Sequence, residues 1–122
     1  MLYVEDNVAN LRLVERLFAR SPRITLLSAD NGADGLRLAR ETRPALILLD
    51  LQLPAMPGLE VLRRLQQDEA TRSIPVVIVT ADATPARHDE ALAAGARAVL
   101  VKPLDVRALL GAVQSALPLV QS

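Results

Sequence analysis

Glu5 and Asp6 stand side by side, Asp50 follows the apolar run Ala45 to Leu49, Thr80 ends the run Val76 to Thr80, and Lys102 follows Ala98 to Val101 directly before Pro103. If those runs are strands of one sheet, three carboxylates, a hydroxyl and an ammonium share an edge. Neighbouring carboxylates repel one another unless protons or a cation relieve them. A hard divalent ion such as Mg²⁺, held by a few oxygens and several waters, suits the set best. Taken singly, each residue has a plainer use: Asp6 or Asn7 can cap a helix, Asp50 can end a strand, and Thr80 is a good strand residue. Their coincidence at one edge is what points to a site. Thirteen of the fourteen basic residues are Arg, and Lys102 is the only Lys. A chain so biased toward guanidinium that keeps one compact ammonium at this place has a use for it.

The elements that must carry these residues follow from the pattern of apolar runs. Five runs, Leu2 to Val4, Ile24 to Ser28, Ala45 to Leu49, Val76 to Thr80 and Ala98 to Val101, alternate with segments of helical spacing at about 8–20, 32–41, 57–68, 85–94 and 105–117. The third run, and Val76 to Val79 of the fourth, are continuously apolar, as strands buried on both faces are. Pro22, Asn31-Gly32, Pro44, Pro75, Gly95 and Pro103 punctuate the series. Strict β-α alternation predicts an α/β fold, a doubly wound parallel sheet with helices on both faces. In such sheets ligands bind at the carboxyl ends of the strands, which is where the acids, Thr80 and Lys102 fall. In the first helix, Leu11, Leu13, Val14, Leu17 and Phe18 project within an arc of about 160°, leaving Val8 outside it.

Composition narrows the function. At 122 residues the chain suits one domain, and 51% hydrophobic residues supply a core. Formal net charge is +0 and only 2% of residues are aromatic, so neither a basic field nor a stacking platform exists for direct nucleic-acid binding. Absence of Cys removes disulfides and thiolate chemistry. No apolar run reaches the roughly 18–20 residues of a membrane span, so a cytoplasmic domain without membrane contact is expected. His88, the one histidine, reads as a solvated helix residue, and Gly32-Ala33-Asp34-Gly35 as a loop and helix start rather than a nucleotide fingerprint.

With these residues in place, the sequence resembles the CheY-like receiver domain of two-component response regulators. The resemblance spans about residues 2 to 117. Its most specific piece is Ile47 to Gly58, similar to a phospho-acceptor strand and the turn after it. Glu5-Asp6-Asn7, Val79-Thr80-Ala81, and Ala94-Gly95-Ala96 leading to Lys102-Pro103 supply the other landmarks. The resemblance implies one receiver domain over 1–122, strand order 2-1-3-4-5, and a cis bond before Pro103 that aims Lys102 inward. It also implies phosphoryl transfer from a phosphohistidine to Asp50. Mg²⁺ would be held by Asp6, Asp50 and the backbone carbonyl of Gln52, with Glu5 acting through water. Thr80 and Lys102 would contact phosphoryl oxygens.

Two departures matter. Glu5 replaces the commoner Asp, and Val99 stands where the family's switch uses an aromatic ring, so a ring swing coupled to Thr80 is not available here. Gln52 and Asp82 match positions that, by the resemblance, tune dephosphorylation in the family. The implied partner is a histidine kinase or histidine phosphotransfer domain, docking at Val8, Leu11 and Leu104, with an output partner the sequence does not specify. The chain's abrupt start favours a module of a hybrid histidine kinase, and no enzyme activity is expected of the isolated domain beyond its own phosphotransfer. Two alternatives stand beside this reading. One is a pseudo-receiver that binds partners without phosphorylation, against which the complete set of acids, hydroxyl and ammonium argues and which Val99 keeps open. The other is a Mg²⁺-dependent aspartyl phosphohydrolase, disfavoured because Gln52 stands where that chemistry places a second acid.

Overall fold

The computed structural model describes residues 1–22 and 24–116. Its elements run β1 (Leu2–Val4), α1 (Val8–Phe18), β2 (Leu27–Ala29), α2 (Gly32–Thr42), β3 (Ile47–Asp50), α3 (Gly58–Gln67), β4 (Val76–Thr80), α4 (Pro85–Ala93), β5 (Ala98–Val101) and α5 (Val106–Ala116). The five strands form one sheet in the order β2-β1-β3-β4-β5, every pair parallel. This is the doubly wound α/β fold with the expected order. The bond between Lys102 and Pro103 is cis. Among the described residues no helix is long and apolar enough to cross a membrane.

Strand side chains alternate between faces, and that period divides the core in two. Leu2, Val4, Ile47, Leu49, Val76 and Ile78 pack against Ala39 of α2, Val61, Leu62 and Leu65 of α3, and Ala91 of α4. Tyr3, Leu48 and Val77 pack on the other face against Val14 and Phe18 of α1 and Leu109 and Val113 of α5. Each fully buried Leu, Ile or Val contributes about 1.5–3 kcal/mol, so an almost purely aliphatic core suffices. Helix starts are set locally. The Asn7 side chain accepts the Asn10 amide N–H at 3.2 Å and the Asn31 side chain accepts that of Asp34 at 2.9 Å, satisfying helix N–H groups that have no partner inside the helix.

The structure corrects several sequence expectations. The second strand begins at Leu27, not Ile24, because the Ile24 amide turns back to the Ser21 carbonyl and β1 offers only Leu2–Val4 as a pairing edge. The third strand starts at Ile47, leaving Ala45 exposed, and includes Asp50, which pairs with Val79. Leu13, expected on the buried face of α1, is 37% exposed; it lies at the edge of the apolar arc, and α1 seats itself through Val14 and Phe18. Residue 117, expected to end the fifth helix, lies outside the described residues.

One glycine bears directly on the site. A Cβ on Gly58 would strike the Asp50 carbonyl oxygen and lie 2.5 Å from Leu51 Cα. Both are backbone, so neither can swing aside. The Gly58 N–H donates to the Leu51 carbonyl at 2.9 Å, and the start of α3 thereby presses on the chain carrying Asp50. Gly58→Ala is expected to lower stability by about 1–3 kcal/mol, read from urea unfolding. An unchanged midpoint would show that this contact yields freely.

Candidate functional site

Glu5 follows β1 two residues after Tyr3 and turns to the same side of the sheet. There it is fully buried. Its Oε1 accepts the Tyr3 hydroxyl at 3.0 Å and Asn10 Nδ2 at 3.2 Å, and its Oε2 accepts the Asn7 amide N–H at 3.3 Å. Asp50, at the end of the neighbouring strand, is also buried; its Oδ1 accepts the Gln52 amide N–H at 3.0 Å. Lys102 reaches across from the far side of β4. Its Nζ lies 2.7 Å from Glu5 Oε1 and 2.9 Å from Asp50 Oδ2. The Lys102 amide N–H, bonded to the Thr80 carbonyl at 2.7 Å, fixes where the stem departs.

Asp6 completes the cluster from the solvent side. One oxygen each from Glu5, Asp6 and Asp50 lie within 4.8 Å of one another. Three carboxylate oxygens so placed, two on buried and one on an exposed residue, fit the donor set of a hard divalent cation.

The electrostatics follow from three acids meeting one ammonium. Burial, and then the bond with Glu5, push the Asp50 carboxyl up to about 6, against the pull of Gln52 and Lys102. Burial would also raise Glu5, but its bonds with Asp50 and Lys102 outweigh that and hold it below its ordinary value. Desolvation would lower the Lys102 ammonium, yet Glu5 and Asp50 hold its pKa above the ordinary lysine value. Burial and the adjacent Glu5 charge push the Tyr3 phenol upward, so it stays a donor. The two buried carboxylates therefore share unequal roles set by their surroundings.

The other expected residues lie around this cluster. Thr80 is fully buried at the end of β4 and its hydroxyl oxygen accepts the Asp82 amide N–H at 3.1 Å. It falls on the α2–α4 side, lining with Leu51, Gln52, Pro57, Asp82 and Arg87 a cleft of about 260 Å³. Val99 pairs with Ile78 and packs half-buried on that same side. Val8 is 58% exposed and, with Leu11, borders a cleft of about 390 Å³ that includes Glu5 and Asp6. Leu11 and Leu104 are half-buried against the α1/α5 core, so Val8 is the freest of the three. His88 is half-buried rather than solvated, its Nε2 3.3 Å from the Asp82 carbonyl. Sequence reasoning missed Tyr3 and Asn10. The first was readable, since a Tyr two residues before Glu5 on a strand shares its face; the second depends on how α1 folds back over the strand end.

Known proteins share this fold. Residues 1–114 match the family described as response regulator receiver domain. The chain is 39% identical over 115 residues to the polar-differentiation response regulator DivK of Brucella anthropi, covering 94% of this chain and 93% of the relative. It resembles the receiver domain of sensor histidine kinase PA1611 from Pseudomonas aeruginosa, solved with a magnesium ion coordinated in the active site cleft. That likeness has a TM-score of 0.84 at 29% identity over 99% of this chain and 96% of that one. The Mn²⁺-bound response regulator Rcp1 is similar at a TM-score of 0.81 and 29% identity, over 95% of this chain and 89% of that one.

The raised Asp50 carboxyl has a consequence for stability. The folded protein holds this proton up to about pH 6, whereas the ordinary value is 3.8. Its contribution is therefore fully present below about pH 4 and is lost as pH rises through 6. In metal-free buffer Asp50→Asn is expected to melt higher than wild type at pH 7.5, with the gap closing toward pH 5. Equal melting at pH 7.5 would contradict this charge balance.

Proposed function

The chain belongs to the response regulator receiver domain family, and from that premise we propose that Asp50 accepts a phosphoryl group from a phosphohistidine in a two-component phosphorelay, residues 1–122 acting as one receiver domain in the cytoplasm. The observation that carries this reading is the Lys102 ammonium bonded to both Asp50 and Glu5, with Asp6 in reach. An Asp50 oxygen attacks phosphorus, the P–N bond of the donor breaks, and the donor imidazole leaves as an acyl phosphate forms. Such transfer needs little covalent help and much charge neutralisation and positioning. At neutral pH a carboxyl poised near 6 is mostly ionised and able to attack. Lys102 is already bonded to Asp50 Oδ2 and can follow the new phosphoryl oxygens. The Thr80 hydroxyl uses its oxygen to accept from Asp82, and its proton is available to a phosphoryl oxygen.

Asp6, Asp50, the Gln52 backbone carbonyl and, through water, Glu5 would hold Mg²⁺. When bound, the cation supplies positive charge to the phosphoryl oxygens that would otherwise meet only acids. Partner contact is assigned to Val8, Leu11 and Leu104, with a histidine kinase or histidine phosphotransfer domain as donor. For output, Thr80 and Val99 lie on one face of the sheet, so repacking of aliphatic side chains between β4, β5 and α4 replaces a ring swing.

Incubation with a phosphohistidine donor is expected to give a hydroxylamine-labile phosphoprotein in wild type, none in Asp50→Asn, and none in excess chelator. Labelling that persists in Asp50→Asn, or is unchanged by chelator, would overturn the proposal. For the docking face, Val8→Glu is expected to slow transfer from the protein donor roughly tenfold or more, the scale of an apolar anchor worth above 1 kcal/mol, while labelling by acetyl phosphate stays as in wild type. Equal rates from the protein donor would reject Val8 as a contact.

A further inference from the structure

The chain has one Tyr, and it stands fully buried in the middle of β1 in a core otherwise built from aliphatic side chains and Phe18. Packing alone does not require its hydroxyl, since a Phe ring would fill the same space. A buried hydroxyl needs a partner, and this one donates to Glu5 Oε1 at 3.0 Å. The same oxygen accepts Asn10 Nδ2 at 3.2 Å and lies 2.7 Å from Lys102 Nζ. Three donors exceed the two lone pairs of a carboxylate oxygen. Oε2 accepts the Asn7 amide N–H at the longer distance of 3.3 Å. The arrangement is lopsided: one oxygen is saturated from the protein side and the other keeps accepting capacity.

We propose that Tyr3, with Asn10, is a positioning residue for the cation site: by pinning Glu5 Oε1 it fixes the glutamate and leaves Oε2 to the water through which Glu5 would serve the cation. The inference rests on the functional reading above and adds residues outside the acidic cluster to it. Glu5 has one more rotatable bond than an aspartate, and without these two anchors its Oε1 would follow Lys102, with only the long Asn7 amide bond to steady Oε2. Tyr3 and Asn10 approach from different elements, the strand below and the first helix above, so together they restrain the carboxylate in two directions. Hydrogen bonds of this kind orient ligands and commonly change metal affinity by 10–100-fold when removed.

The test is Mn²⁺ affinity, read as free Mn²⁺ by electron paramagnetic resonance without any phosphodonor. Wild type, Tyr3→Phe, Glu5→Asp and the double variant form a cycle that separates coupling from general loosening of the core. Tyr3→Phe is expected to weaken Mn²⁺ binding roughly tenfold in the wild-type background. In Glu5→Asp, whose shorter side chain falls short of the hydroxyl, the same change is expected to alter affinity by less than about twofold. Asn10→Ala provides a second variant on the helix surface should Tyr3→Phe fold poorly; it is expected to weaken binding in the wild-type background alone. Wild-type affinity in Tyr3→Phe, or an equal loss in both backgrounds, would overturn the positioning role while leaving the receiver reading intact. A wild-type protein without Mn²⁺ affinity would overturn the receiver reading and this inference with it.

Discussion

A single ammonium lies between two buried carboxylates: Lys102 Nζ is 2.7 Å from Glu5 and 2.9 Å from Asp50. Taking charges out of water is costly, and burying either acid without a counter-charge would cost several kcal/mol. With Asp6 included, three acids face one ammonium, an imbalance that suits the donor set of a second positive charge. The side chain of Glu5 is completely shielded and that of Asp50 is 3% exposed, whereas Asp6 is open to solvent. The buried pair is thus fixed and the third acid can adjust.

The rest of the fold serves that arrangement. Residues 5, 50 and 102 come from strands adjacent or nearly adjacent in the sheet, and their common parity sends all three toward the α1/α5 side. Thr80 and Val99 fall on the opposite side, with α4. The buried acids with Lys102 and the Thr80–Val99 pair therefore lie on different faces of one strand edge, joined by the bond from the Lys102 N–H to the Thr80 carbonyl. Gly58 lets α3 close against the backbone of Asp50 and Leu51, and the Asn7 and Asn31 caps start α1 and α2 beside the acids.

Much of this was legible from residue order. The Val76–Thr80 run, the acids after the first and third runs and Lys102 after the fifth pointed to the parallel sheet and the edge, because a two-sided burial pattern and strand-end polarity are local features. Strand order required the resemblance, since alternation is silent about it. Ile24 failed as a strand residue because pairing length is set by its short partner, and Leu13 failed because an apolar arc does not say which of its margins meets the sheet. Asn10 was hidden for a related reason: its approach to Glu5 depends on the path from β1 into α1. Tyr3 was legible in principle from its spacing to Glu5, but an apolar run invites one to read every ring in it as packing.

The account stands on these strand ends forming one cation-binding edge. Titration of the ¹⁵N-labelled protein with Mg²⁺, followed by amide resonances, tests that most directly. Saturable shifts centred on residues 5–7, 50–52, 80–82 and 102 are predicted, and absent in Asp50→Asn. No saturable change, or shifts centred on the opposite end of the sheet, would contradict it.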